Sequence, residues 1–300
     1  MSNLLTVGVK IGKREISSAI INVDDSVVLS RSCSSVAISA AGSADDVLSG
    51  CVAVIKKSLR AYPDNDFKIG LAVSAQFENT HTITQFCNNQ SFKTLPKLNV
   101  KMMLAEKLGI AETDVFIVNE AEAFLRGEVY NGASPDYRYK KIIALSMGGG
   151  LLSATYDSEK FRDANLWGSP FLQGIAENYF TTSWFIKRYF ELTGERIDGV
   201  SKISSFNKVT PASKQLYNEF SANLALFLDR LAVVNKPDAI ILGGSISNAF
   251  QTFFPELRRC LNKRQNFTPV YKAKLREKAA LFGAANYFEL ESNALSNTNF

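Results

Sequence analysis

Three stretches of the chain hold the residue types that phosphate and sugar chemistry needs. The first is Ser146-Met147-Gly148-Gly149-Gly150, a glycine run between two apolar stretches, where missing Cβ atoms let backbone N–H groups approach an anion closely. A tight hairpin turn accounts for the same residues. The second is Ile240-Ile241-Leu242-Gly243-Gly244-Ser245, a buried-strand pattern running into a glycine pair where a helix opens, so that exposed backbone can back a nucleobase or a phosphate. That arrangement also occurs in α/β folds that bind no phosphate. The third is Asn119-Glu120, which follows the apolar run Val115 to Val118. A carboxylate at the C-terminal end of a strand can take a proton from a sugar hydroxyl. Glu120 and Glu122 fit equally well as an acidic first turn that answers the dipole of the following helix.

Other chemistries are excluded by composition. The single histidine, His81, has no second histidine for a metal cluster, and a Ser-His-Asp triad finds no setting around it. Cys33, Cys51, Cys87 and Cys260 lie far apart with no CxxC pair, so neither a disulfide framework nor a cysteine-rich zinc site is written, and reduced, packed cysteines are expected. The net charge of +5 is small for 300 residues, and its one dense stretch, Lys272 to Lys278, reads as a solvated helix face rather than a nucleic-acid patch. No apolar run reaches the roughly 18–20 residues that cross a bilayer, and the N-terminus lacks the features of a signal peptide. A cytoplasmic protein with neither a membrane nor a nucleic-acid partner is expected.

The elements that must position these residues follow from periodicity. Leu4 to Ile11, Ile16 to Val23 and Val27 to Arg31 predict an antiparallel meander. Ser43-Ala44-Asp45-Asp46 predicts a helix start, with Val47, Leu48, Cys51, Val52, Ile55 and Leu59 on its buried stripe. A strand is expected over Phe67 to Ala75, then an irregular stretch over 76–99, a helix from Val100 to Leu108, and the Val115 strand with its helix. The strand, glycine turn and strand of Val7 to Ile20 recur from Ala144 to Thr155, which reads as an internal duplication. Helices are expected from about Gly174 to Leu192, from Thr210-Pro211 to Val234, over Phe250 to Leu261 and over Lys272 to Tyr287. A strand is expected at Ala239 to Leu242 and a disordered tail over 291–300. Strands alternating with helices in two similar halves predict an α/β architecture with ligands in a cleft between them.

Several segments resemble the ROK (repressor, open reading frame, kinase) family of sugar kinases and sugar-responsive repressors. Asn119-Glu120-Ala121-Glu122-Ala123-Phe124-Leu125-Arg126-Gly127-Glu128 resembles its NDANAAALGE segment, and Pro237 to Ser247 its PexIvlGGgvs segment. Gly174 to Thr181 is similar to its GCLEAYAS run, and Leu281-Phe282-Gly283-Ala284-Ala285 to its closing LiGAA. The resemblance spans essentially the whole chain in order. It implies an actin-like ATPase (ribonuclease H-like) fold with two domains, at 1–118 and 119–290, and an interdomain cleft. The last helix would pack back on the N-terminal domain. It also implies ATP with Mg2+ as cofactors, a small-molecule sugar as substrate, and a homodimer.

Carried over residue by residue, the resemblance makes Glu120 the catalytic base. Lys10, Gly12, Lys13, Gly148, Gly149 and Gly150 would line the phosphates, Gly243 and Gly244 would back the adenine, and Asn88, Asn89, Asn119 and Asn165 would contact the sugar. The departures are as informative. The family's first phosphate motif, DiGGTk, stands here as Lys10-Ile11-Gly12-Lys13-Arg14-Glu15, with an ammonium where a carboxylate helps organise Mg2+. Such a reversal beside a metal costs about several kcal/mol in a partly buried site. Lys10, Lys13 and Arg14 could instead bind an anion directly. Glu15 or Asp157 would have to supply the missing carboxylate for conventional chemistry. Glu120 replaces an aspartate, and a misplacement of about 1 Å can cost on the order of 100-fold in rate. The segment matching the family's GEiGH element and zinc cysteines reads Asp163 to Pro170 without its glutamate, histidine or cysteines, so no zinc is expected. Trp167 there could stack on a sugar or pack in the core.

Two readings stay open: an ATP-dependent hexose or N-acetylhexosamine kinase, and a catalytically inactive ROK pseudokinase that binds a sugar or sugar phosphate in a regulatory role. The repressor branch is not expected, because the first strand begins at Leu4 and leaves no helix-turn-helix ahead of it.

Overall fold

Residues of β1 (Leu5–Ile11) and β2 (Glu15–Asn22) alternate between two faces, and Val7, Val9 and Ile11 stand opposite Ile20, Ser18 and Ile16 in an antiparallel pair. The computed structural model describes residues 4–12, 15–23, 25–38, 43–79, 82–86, 99–132, 139–158, 160–205 and 210–287. The chain divides into two compact units, Met1–Gly132 with Glu277–Phe300, and Ala133–Arg276.

In the first unit β3 (Val27–Val28) and β4 (Ser34–Ala37) pair with β2. The helix α1 (Ala44–Leu59) begins where the sequence predicts, in a capping box. The Ser43 backbone N–H donates to Asp46 Oδ2 at 2.7 Å, and the Ser43 hydroxyl accepts from the Asp46 N–H. These bonds to Ser43 hold the Asp46 carboxyl below the usual carboxylate range. Next come β5 (Phe67–Val73), the β6 (Ala75–Asn79) and β7 (Thr82–Phe86) hairpin, α2 (Val100–Leu108), β8 (Val115–Asn119) and α3 (Glu120–Asn131). Over Ala75–Asn79 and Thr82–Phe86 the hairpin corrects the expectation of an irregular 76–99 stretch, its strands satisfying each other's backbone groups, while 87–98 lie outside the described residues. The main sheet has the order β3-β2-β1-β5-β8, with β1, β5 and β8 parallel. Val7, Val9, Ile11, Ile69 and Leu71 of one face pack on Val47, Leu48 and Ile55 of α1 and Leu104 of α2. Cys51 is sealed in that core, and burial pushes its thiol up to about 12.

The second unit repeats the plan. Its strands β9 (Lys141–Met147), β10 (Leu151–Asp157) and β11 (Lys160–Asp163) form the antiparallel part. Then follow the short pair β12 (Pro170–Phe171) and β13 (Gly174–Ile175), α4 (Thr182–Thr193), α5 (Val200–Ser205), α6 (Pro211–Asn235), β14 (Ala239–Gly243), α7 (Phe250–Lys263) and β15 (Val270–Lys272). The sheet order β11-β10-β9-β14-β15, with β9, β14 and β15 parallel, matches the order and directions of β3-β2-β1-β5-β8, β4 alone having no counterpart, which carries the duplication read from the sequence. One face is covered by an aromatic core that includes Phe171, Phe180, Phe185, Phe220, Phe227 and Phe253. The helix expected from Gly174 starts only at Thr182. Gly174 and Ile175 pair with Pro170 and Phe171 instead, and the Ile175 N–H donates to Asn178 Oδ1.

A second correction concerns 272–287. Lys272 ends a parallel strand on β14, with the Ala273 N–H donating to the Leu242 carbonyl, and the helix α8 (Ala279–Ala285) begins seven residues later. Helix-forming composition loses here to a backbone ladder that completes the sheet. The helix α8 belongs to the first unit, where it packs on β1, β5 and α3. Its approach requires glycine: a Cβ on Gly8 would overlap the Leu281 carbonyl, and one on Gly70, the register partner of Gly8, would overlap that of Ala284. Gly127 and Gly283 allow the same closeness between α3 and α8. Asn286 Nδ2 donates to Asn131 Oδ1 and Asn131 Nδ2 to Ser26 Oγ, both at 2.6 Å, which ties the ends of these helices to the β2–β3 turn.

Candidate functional site

Parallel strands that end in register present their next residues along one edge, the place where open α/β sheets hold ligands. In the first sheet Ile11 is paired with Val73 and Val73 with Asn119. Gly12, Ser74 and Glu120 therefore follow at the same carboxyl edge, on strands spaced about 4.8 Å apart. Glu120 is half-buried in the first turn of α3. Asn119 is buried and caps that helix, its Oδ1 accepting from the Ala121 N–H at 2.7 Å and the Glu122 N–H at 3.4 Å. The cap fixes the backbone on which Glu120 is carried. Lys10 is half-buried on β1, and Gly12 turns the chain with its N–H donating to the Glu15 carbonyl at 2.9 Å. Lys13, Asn88 and Asn89, like His81, Cys87 and the 291–300 tail, lie outside the described residues.

The second sheet brings the two glycine motifs together. Gly243 pairs with Ser146, so the turn Gly148 to Gly150 lies beside Gly244-Ser245. A Cβ on Gly148 would stand 3.1 Å from Ser245 Oγ. Gly244 has φ +78°, and a Cβ there would collide with the Met147 backbone. Gly149 is exposed, with nothing within 4 Å of where its Cβ would be. The Gly148 carbonyl accepts the Thr182 N–H at 2.7 Å, which opens α4 against the same turn. Sequence reading missed this contact, since 34 positions separate the partners and no local pattern marks them. Asn165 is exposed with φ +49°, and its N–H donates to Asp163 Oδ1. The Leu166 N–H donates to Ser153 Oγ, which holds this segment beside the start of β10 and hence toward the glycine-turn end of the sheet. Trp167 packs against the aromatic core.

These two turns bring glycine backbone to one end of the sheet, with Gly149 exposed and a glycine enforced at Gly244. Among its described residues the first turn offers Mg2+ a poor set of ligands. Lys10 puts an ammonium at the strand end, and the Glu15 carboxylate of the same turn is exposed. Asp157 pairs with Lys141 at the opposite end of its own sheet from the glycine turn. Among the described residues no group of three or more His, Cys, Asp or Glu side chains could hold a metal ion, and no helix is long and apolar enough to cross a membrane.

Residues 173–290 match the model of the ROK family. No curated protein matches the chain. Among solved structures, a ROK family glucokinase from Streptomyces griseus in complex with glucose and AMPPNP is 21% identical, with a TM-score of 0.75 over 94% of this chain and 98% of that one. A ROK family protein from Streptococcus pneumoniae TIGR4 in complex with sucrose is 16% identical, with a TM-score of 0.77 over 96% and 99%. A ROK family transcriptional regulator, a homologue of the E. coli MLC protein, is 14% identical, with a TM-score of 0.76 over 94% of this chain and 77% of that one. At these identities the likeness is one of fold: the actin-like ATPase fold of the ROK sugar kinases, mixed α/β with two sheets.

Proposed function

We propose, from the premise that this is a divergent ROK-type chain on a sugar-kinase fold, that it phosphorylates a hexose or N-acetylhexosamine with ATP. The observation that carries the reading is Glu120, a half-buried carboxylate directly past the register end of β8. In this reading Glu120 accepts the proton of the attacking sugar hydroxyl. The Asn119 cap keeps its backbone in place, and Asn165 offers an exposed amide to the sugar. ATP supplies the phosphoryl group when bound, and the backbone of Gly148, Gly149, Gly150, Gly243 and Gly244 would line it. The sugars and nucleotide analogue seen in the fold's neighbours support the substrate class.

The test is a coupled phosphorylation assay over a panel of hexoses and N-acetylhexosamines. Glu120→Gln should lower turnover on the wild type's best sugar about 10²–10⁴-fold; unchanged turnover overturns the reading. Lys10 favours a second reading, a pseudokinase that binds sugar or sugar phosphate and transfers nothing, because its charge opposes a divalent cation at the first turn. Stabilisation by a sugar with no turnover on any of the panel would select it.

A further inference from the structure

Lys10 is the penultimate residue of β1. Strand alternation sends it to the face opposite Val9 and Ile11, the face that Gly8 presents to α8, and its register neighbours are Ser17 on β2 and Ala72 on β5. Ala72, Val118, Ala123, Ala280 and Ala284 form a small apolar cluster on that face. Lys10 is half-buried, and its ammonium makes no hydrogen bond or ion pair among the described residues. Glu15, across the turn, is exposed and makes none with it. An ammonium partly withdrawn from water without a counter-ion carries a desolvation cost that a bound anion relieves. It also stands at the carboxyl edge that the sheet leaves for ligands.

We propose that Lys10 binds a phosphate group of the ligand directly, so that the carboxyl end of β1 takes a phosphate ester or a polyphosphate with no divalent cation between them. The proposal rests on the ligand edge of the preceding reading, but it concerns binding, so it can fail while sugar recognition stands.

The test is calorimetric titration of the full chain with inorganic pyrophosphate, ADP and glucose 6-phosphate, in EDTA and again with excess MgCl2. Pyrophosphate should bind in EDTA, and Mg2+ should not strengthen it. Lys10→Met, which keeps the side chain's length, should weaken binding tenfold or more, as loss of a hydrogen bond to a charged group does. Lys10→Arg should retain it. Tighter binding of ADP than of glucose 6-phosphate would make a nucleotide the source of the phosphate, and the reverse order a sugar phosphate. Binding only with Mg2+, equal binding by Lys10→Met, or no binding of any of the three overturns the proposal. The Mg2+ dependence is read on the wild type, so a poorly folded variant does not remove the test. Glucose titrated alongside separates the two readings: glucose bound without the phosphates removes this proposal and leaves sugar recognition intact.

Discussion

Gly70→Ala tests how α8 is held. Gly70 is buried on β5, and a Cβ there would overlap the Ala284 carbonyl and crowd the Ala285 N. The obstacle is backbone inside a helix, so no rotamer change relieves it and α8 must shift as a body. Overpacking alone costs typically about 1–3 kcal/mol. Displacing α8 also uncovers Leu281 and Phe282, each now about 95% or more buried, and re-exposing one such side chain costs roughly 1.5–3 kcal/mol. A loss of about 3–5 kcal/mol is expected, a large part of the 5–15 kcal/mol typical of a domain. Gly109→Ala is the control: Gly109 has φ +70° with nothing within 4 Å of its Cβ position, so only the left-handed backbone cost of roughly 1–2 kcal/mol applies. Urea unfolding of both variants beside the wild type measures the difference. Equal losses for the two, or a Gly70→Ala loss below about 1 kcal/mol, would refute the packing of α8 on bare β-sheet backbone.

Gly149→Ala should unfold within about 0.5 kcal/mol of the wild type, because its Cβ meets open space, yet lose the thermal shift produced by ADP. Peptide-level mass spectrometry after iodoacetamide at pH 8 should find exposed Cys33 modified and Cys51 intact until the protein is denatured. A thiol pushed up to about 12 is only about one part in 10⁴ thiolate at that pH, and burial blocks access besides. Bidentate bonds from Arg188, from Nε to Oε2 at 2.6 Å and from Nη2 to Oε1 at 2.9 Å, hold the Glu219 carboxyl below the usual carboxylate range. A depressed carboxyl stabilises the fold above its unfolded value and loses that contribution as pH falls through the folded one. Glu219→Gln should therefore cost about 0.5–1 kcal/mol at pH 7 after solvent screening, and the gap should close below about pH 4 in urea titrations.

Much of the fold was legible because local physics and tertiary packing agree. The alternation of Val7, Val9 and Ile11, the Ser43–Asp46 capping box and the Thr210-Pro211 start of α6 all mark their elements in sequence, and each is where it was expected. The failures lie where a distant partner decides. The stretch from Lys272 reads as helical from its lysines and following alanines, but Lys272 pairs with Leu242 as the end of a strand, and the helix begins only at Ala279. Gly8 and Gly70 are unremarkable in sequence and become necessary only against α8. The candidate site divides the same way. The Gly243-Gly244 pair at a strand end is legible, whereas the need for glycine at Gly244 and the neighbouring roles of Ser245 and Thr182 around Gly148 depend on contacts no window of sequence contains. Asn119, expected at the sugar, is also the cap of α3, a role its residue type serves equally well.

Scanning calorimetry of the full chain against hexoses and N-acetylhexosamines, with and without ATP, tests sugar recognition most directly. At 100 times its Kd a ligand that binds only the folded state adds about 2.7 kcal/mol of stability, so at least one sugar should raise the transition by that amount. If no sugar of the panel moves the transition at saturating concentrations, with ATP or without it, the chain is not a sugar-binding protein and the account is contradicted.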